Sequence, residues 1–232
     1  MQSIGRAGAA ELVASFALTF VGAGAVIAQA NGRLDLTGVA LANGLVFAVV
    51  VSITAHLSGG VVNPAIAVAL WVAGTLGTLR AAAYIGAELL GAAAGAILLR
   101  FLLPSLSFGP DGGGVALATD LPAGKGLLIE AVSAFLLVFA LFATRSNDRG
   151  SSDRSTGLTV GLVVVACTLA FAPWTGAAMN PARWLGPALV TGHWTTWWVW
   201  VAGPVAGGIV AAVVYRAISP QDREPATPDG AT

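Results

Sequence analysis

Six stretches of this chain, at about 9–30, 37–56, 79–103, 126–145, 157–174 and 195–218, are predominantly apolar over close to the length a helix needs to cross a bilayer, roughly 20 residues. In hydrocarbon every backbone amide must find its partner inside the protein, which a helix does within its own segment. The sequence therefore predicts an all-α, multi-pass membrane protein. Composition agrees, with 56% hydrophobic and only 9% charged residues, where a soluble domain carries about a quarter charged. Lys+Arg 11 against Asp+Glu 11 gives zero net charge, so no basic field attracts nucleic acid and no acidic surface invites a basic partner. The single cysteine, Cys167, excludes an internal disulfide. The first apolar stretch is too long for a signal-peptide core and contains no small-residue cleavage site, so insertion is expected to come from the helices themselves.

Two further apolar stretches, 61–73 and 178–190, are only half as long. Segments of that length read as re-entrant or buried pieces. The connectors are punctuated as loops: "PSLSFGPDGGG" at 104–114 is rich in Pro and Gly, "RSNDRGSSDRS" at 145–155 is charged and Ser-rich, and 219–232 reads as a disordered cytoplasmic tail. With 1–8 as a cytoplasmic N-terminus, 9–218 is expected to form a single domain.

That domain repeats itself. Glu11 stands near the head of the first span and Glu130 of the fourth; "TGVALANGLVF" heads the second and "TGLTVGLVVV" the fifth. Each second span leads to a half-length segment that begins Asn-Pro-Ala, at Asn63-Pro64-Ala65 and Asn180-Pro181-Ala182. The offsets agree, 130 − 11 = 119 and 180 − 63 = 117, so repeat one covers about 9–103 and repeat two about 126–218. Three spans is an odd number, which forces the second copy to enter from the opposite side: an inverted repeat about an axis in the membrane plane. Basic residues orient it with both termini cytoplasmic, since Arg6, Arg80, Arg145, Arg149, Arg154, Arg216 and Arg223 fall inside and Arg33, Arg100 and Lys125 outside.

Asn is a favoured helix cap and Pro is tolerated at the first helical position, so Asn-Pro-Ala reads as a helix start. A helix that starts within the bilayer exposes unpaired N–H groups and the positive end of its dipole, which hydrocarbon cannot satisfy. The start is expected to face water or the other tip, with Pro64 and Ala65 packed against Pro181 and Ala182 and both amides aimed at one point. The bland reading is that Asn63 and Asn180 are ordinary caps; the duplication favours a polar waist in an aqueous pore.

In these motifs, and in "HLSGG", "TGAAMNPAR", "YIGAELLGAAAG" and "WVAGPVAGG", the chain resembles the aquaporin (major intrinsic protein) superfamily over roughly 9–218. The resemblance implies six transmembrane helices plus two re-entrant half-helices, a homotetramer with one pore per subunit, and a passive channel in the cell membrane, with no enzymatic activity, cofactor or metal. It implies water and small neutral solutes as the permeants and lipid as the surroundings. By position it assigns Arg183, Asn43, Thr168 and Ala177 to a narrow outer filter. Water-selective members generally carry Phe and His where this chain has Asn43 and Thr168, and glycerol facilitators carry Trp or Phe with Gly, plus an Asp after the arginine, where Trp184 stands here. Val61 replaces a common His and Glu88 a common Gln.

Other residues admit two readings each. Arg183 is either a filter residue or a snorkelling cation. Glu11 and Glu130 are expected to brace the re-entrant loops by accepting backbone N–H groups, rather than to carry protons. Glu88 is open between a core brace, a subunit contact and a neutral acid. His56 is expected to line the pore or support the first loop; His193 is the only other histidine, so no metal site is expected. The small residues of "GAAAGA" and "AGPVAGG" are expected to let helices approach closely, and "HWTTWWVW" reads as an interfacial aromatic belt or, in part, a subunit contact. Competing functions are a secondary transporter, which shares inverted repeats, a water-only channel, and a closed structural protein.

Overall fold

The computed structural model describes residues 3–103, 113–145 and 153–219. Within them lie eight helices: α1 (Ile4–Ala30), α2 (Leu36–Ser58), α3 (Pro64–Val72), α4 (Thr78–Leu102), α5 (Ala123–Arg145), α6 (Asp153–Thr175), α7 (Pro181–Thr191) and α8 (Val199–Ile218). Six are long and apolar enough to cross a membrane, and the two short ones are α3 and α7. Most of the 104–114 and 145–155 connectors, and all of the expected tail except Ser219, lie outside the described residues.

The packing repeats as the sequence does. Exchanging α1 with α5, α2 with α6, α3 with α7 and α4 with α8 turns the list of touching helices into itself: α1·α4 becomes α5·α8, α1·α2 becomes α5·α6, α4·α7 becomes α3·α8, while α2·α6 and α3·α7 map onto themselves. Half-helix α7 thus lodges against repeat one and α3 against repeat two, which knits the two copies into one body.

Small residues set how closely these pairs meet. A Cβ on Gly91 would lie 2.2 Å from the Leu12 carbonyl oxygen and one on Gly95 would lie 2.7 Å from that of Phe16, so α4 rests on α1 backbone to backbone. In repeat two, Gly207 plays the same part against Ala131 at 1.9 Å. Close approach of this kind replaces the hydrophobic drive that is absent between helices in lipid. The outward faces are apolar: Leu41, Leu45, Val49 and Ile53 form an exposed stripe along α2, as hydrocarbon surroundings favour.

Four of the six long helices start three residues or more from the sequence expectation; α6 begins at Asp153, four residues before the expected 157. α1 begins at Ile4, inside the expected N-terminal extension, because Ser3 caps it by accepting the Arg6 N–H at 3.4 Å. α5 begins at Ala123, where the Pro122 carbonyl accepts from Lys125 and Gly126 at 2.9 and 3.1 Å. α8 begins only at Val199, since Thr196 adopts a positive φ of 54° that a helix cannot contain. The tryptophans before it lengthen the apolar run without being helical.

Candidate functional site

The two half-helices meet tip to tip. Asn63 and Asn180 have extended backbones and cap α3 and α7, with proline at the first helical position in each case. The Asn63 Oδ1 accepts the Ala65 N–H at 2.9 Å; the Asn180 Oδ1 accepts those of Ala182 at 2.9 Å and Arg183 at 3.3 Å. Each Nδ2 then crosses to the other loop: Asn63 donates to the Met179 carbonyl and Asn180 to the Val62 carbonyl, both at 2.9 Å. Val62 and Met179 hold φ values of 56° and 52°. For side-chain-bearing residues, and above all a β-branched valine, that conformation is uncommon and costs about 1–3 kcal/mol. It occurs in both residues whose carbonyls accept the cross-links.

Buried carboxylates hold the loops from behind. Glu11 accepts the N–H groups of Val61 at 3.0 Å and Val62 at 2.5 Å. Glu130 does the same for Ala178 at 3.0 Å and Met179 at 2.8 Å, and also accepts the Thr175 hydroxyl at 2.7 Å. Both glutamates are fully buried, and a desolvated carboxylate is tolerated only when its oxygens are occupied by donors in this way. Glu88 adds a third point in repeat one by accepting the Asn63 N–H at 3.0 Å.

Several supports carried no expectation. Ser58 and Thr175 each accept an N–H two residues on, from Gly60 at 3.3 Å and Ala177 at 3.1 Å. Both stand five residues before their asparagine, so aligning the two repeats residue by residue finds them. Tyr84 donates its hydroxyl to the Ser58 carbonyl and Trp200 its indole N–H to that of Thr175, both at 2.9 Å; Arg145 donates to the Gly59 carbonyl. These contacts come from distant helices, and no local pattern announces them.

One cavity of about 280 Å³ is lined by both asparagines and by all four residues assigned to the filter, Asn43, Thr168, Ala177 and Arg183. The remaining wall is largely apolar, with Leu18, Phe47, Leu137 and Val164 among it. Arg183 is buried and its Nε donates to the Asn43 Oδ1 at 3.4 Å, while the Asn43 amide donates to its own helix at Val39, 2.9 Å away. Gly22 makes room for this pair: a Cβ there would lie 2.4 Å from the Asn43 Oδ1. Segment 114–118 also lines the cavity, tied down where the Ala118 N–H meets the Trp174 carbonyl at 2.9 Å. Cys167 is buried and does not line this cavity, and His56 is exposed on α2 and does not line it either.

Comparison with known proteins accords with this arrangement. Residues 1–215 match the profile of the family described as Major intrinsic protein. Aquaporin TIP4-4 of Zea mays is 43% identical over 219 residues, covering 90% of this chain and 85% of the relative. Aquaporin-4 of Mus musculus is 34% identical over 230 residues, covering 96% and 70%. The crystal structure of the aquaglyceroporin from Plasmodium falciparum superimposes with a TM-score of 0.85 over 93% of this chain and 97% of that one, at 22% identity, a likeness of fold. This chain belongs to the major intrinsic protein family. It is a multi-pass membrane protein of a family of channels, not enzymes.

Proposed function

We propose that residues 9–218 form a single channel domain that passes water and small uncharged polar solutes down their gradients and excludes ions and protons. The observation that carries this reading is the convergence of Asn63, Asn180 and Arg183 on one cavity that they share with apolar side chains such as Leu18, Phe47, Leu137 and Val164. A neutral solute crosses only if lost hydrogen bonds are replaced, and a few donors on a greasy wall do so without holding it.

The hydrogen-bond inventory gives the waist its character. Each asparagine Oδ1 is occupied by N–H groups of its own half-helix, and one hydrogen of each Nδ2 is taken by the opposite loop. The second Nδ2 hydrogen of each is the donor that remains for the lumen, while Asn180 Oδ1 takes two N–H groups and Asn63 Oδ1 one. The waist is thereby weighted toward donors. A water molecule there turns its oxygen to the two amides and points its hydrogens away, which interrupts a proton wire, and the two helix N-termini make the potential positive. Arg183 adds a full charge at the proposed outer filter.

Asn43, Thr168 and Ala177 would leave that filter wider and more polar than a pair of aromatic rings would. Compact solutes with several hydroxyl or amide groups fit it: urea, hydrogen peroxide and the neutral hydroxides of boron, silicon or arsenic, in preference to glycerol. A water-only channel is the narrower alternative, and a secondary transporter needs titratable groups free to couple. Here Glu11 and Glu130 are engaged with loop backbone, which supports their proposed role as braces; His56 is proposed to support the first loop from the end of α2. We place the protein in the cell membrane as a homotetramer with both termini cytoplasmic; the distribution of arginines supports the orientation and the apolar outer faces support the membrane setting. Solute flux into proteoliposomes tests the reading: flux linear in the gradient is expected, whereas saturable, ion-coupled uptake would identify a transporter.

A further inference from the structure

The two halves of the site differ in one respect. Behind the second tip stands one carboxyl group, Glu130, with donors on both oxygens. Behind the first stand two, Glu11 and Glu88, both at 0% exposure and both holding the same short run of loop backbone, residues 61 to 63. Three backbone N–H groups are divided between them. Val61 and Val62 occupy the two oxygens of Glu11, and Asn63 occupies Oε1 of Glu88. Oε2 of Glu88 receives no donor from the protein.

Among the described residues no cation pairs with either carboxyl group. Arg145 donates to the carbonyls of Gly59 and Gly60. The other groups that hold Glu88 in place are neutral: the Ser15 hydroxyl, one turn along α1 from Glu11, donates to the Glu88 backbone carbonyl at 2.7 Å. Two buried anions serving the adjacent amides of Val62 and Asn63 would repel each other without a counter-charge, and one oxygen would be left without a partner. A hydrogen between the two groups removes both difficulties. Both Glu11 oxygens already accept N–H groups, so the position open to that hydrogen is Glu88 Oε2.

We propose that Glu88 is a neutral carboxylic acid in the folded channel, donating its Oε2–H to the Glu11 carboxylate and accepting the Asn63 N–H at Oε1. It is then a positioning residue for Asn63 that acts through a held proton rather than a charge. The pair presents a single negative charge to the first loop, and every polar atom of the pair has a partner. Glutamine has the same donor and acceptor at the same places, so Glu88→Gln preserves the arrangement without an ionisable group.

Infrared spectra of the full-length protein in lipid at neutral pH test this directly, independently of whether the channel reading holds. The expected result is a carboxylic-acid C=O band in wild type that persists in Glu130→Gln and disappears in Glu88→Gln. In vesicles, Glu88→Gln should keep water flux within about twofold of wild type, since both hydrogen bonds survive, while Glu88→Leu loses most of it. The proposal is overturned by the absence of the band in wild type, by its loss in Glu130→Gln instead of Glu88→Gln, or by a glutamine variant as impaired as the leucine one.

Discussion

Asn63 and Asn180 lie 117 positions apart in the chain and each donates an amide hydrogen, at 2.9 Å, to a carbonyl of the loop that carries the other. The two tips are thereby a single hydrogen-bonded unit, and neither can shift without unpairing a buried group on its partner.

Replacing Asn180 by aspartate tests this unit. The Ala182 N–H keeps its acceptor, but the Val62 carbonyl at 2.9 Å loses its donor and faces an anion. Such a loss costs about 1–3 kcal/mol in a buried site. We expect Asn180→Asp to lower both the unfolding temperature and water flux, and to admit cations because an anion replaces a donor at the waist. Electrophysiology in planar bilayers reads the last effect; an unchanged, cation-tight channel would contradict the inventory.

Glu130→Leu removes the acceptor for Ala178, Met179 and Thr175 together. Leaving buried donors unsatisfied costs about 1–3 kcal/mol apiece, so detergent-solubilised protein should unfold at a clearly lower temperature. Glu130→Gln, which keeps part of the acceptor capacity, should fall between the two. Equal melting temperatures for all three would show that the second loop holds itself.

Gly22→Ala probes the proposed filter from behind. The added Cβ would come within 2.4 Å of the Asn43 Oδ1 and 3.1 Å of the Arg183 Nε, so the amide must swing away and the contact to Arg183 is broken. We expect the urea-to-water flux ratio to change while assembly is retained. A ratio identical to wild type would mean that the Asn43–Arg183 contact does not shape the lumen.

The six spans were legible because apolar length is a direct response to bilayer thickness, and the two tips because Asn-Pro-Ala is a helix start duplicated at a constant offset. The left-handed turns at Val62 and Met179 were not, since neither residue type favours that conformation and the reason for it, a carbonyl required by the opposite loop, is more than a hundred residues away. Segment 114–118 carries no motif, and its place in the cavity wall follows from Val115 packing where a Cβ on Gly176 would sit, 2.4 Å from it. The Trp200–Thr175 contact was hidden for the same reason: tryptophan near a membrane surface reads first as an interfacial anchor.

The double substitution Asn43→Phe/Thr168→His addresses solute choice. Both side chains line the cavity beside Ala177 and Arg183, and two rings in their place should narrow it. Flux of urea and boric acid should fall at least about tenfold relative to water, equivalent to ~1.4 kcal/mol of added barrier. A parallel decline of all permeants would instead indicate general damage to the pore.

The most direct test of the channel itself is stopped-flow light scattering on proteoliposomes of the purified protein under an osmotic gradient. The account predicts water permeability well above that of empty vesicles, with no collapse of an imposed proton gradient. Shrinkage no faster than in protein-free vesicles, from correctly folded and inserted protein, would contradict it.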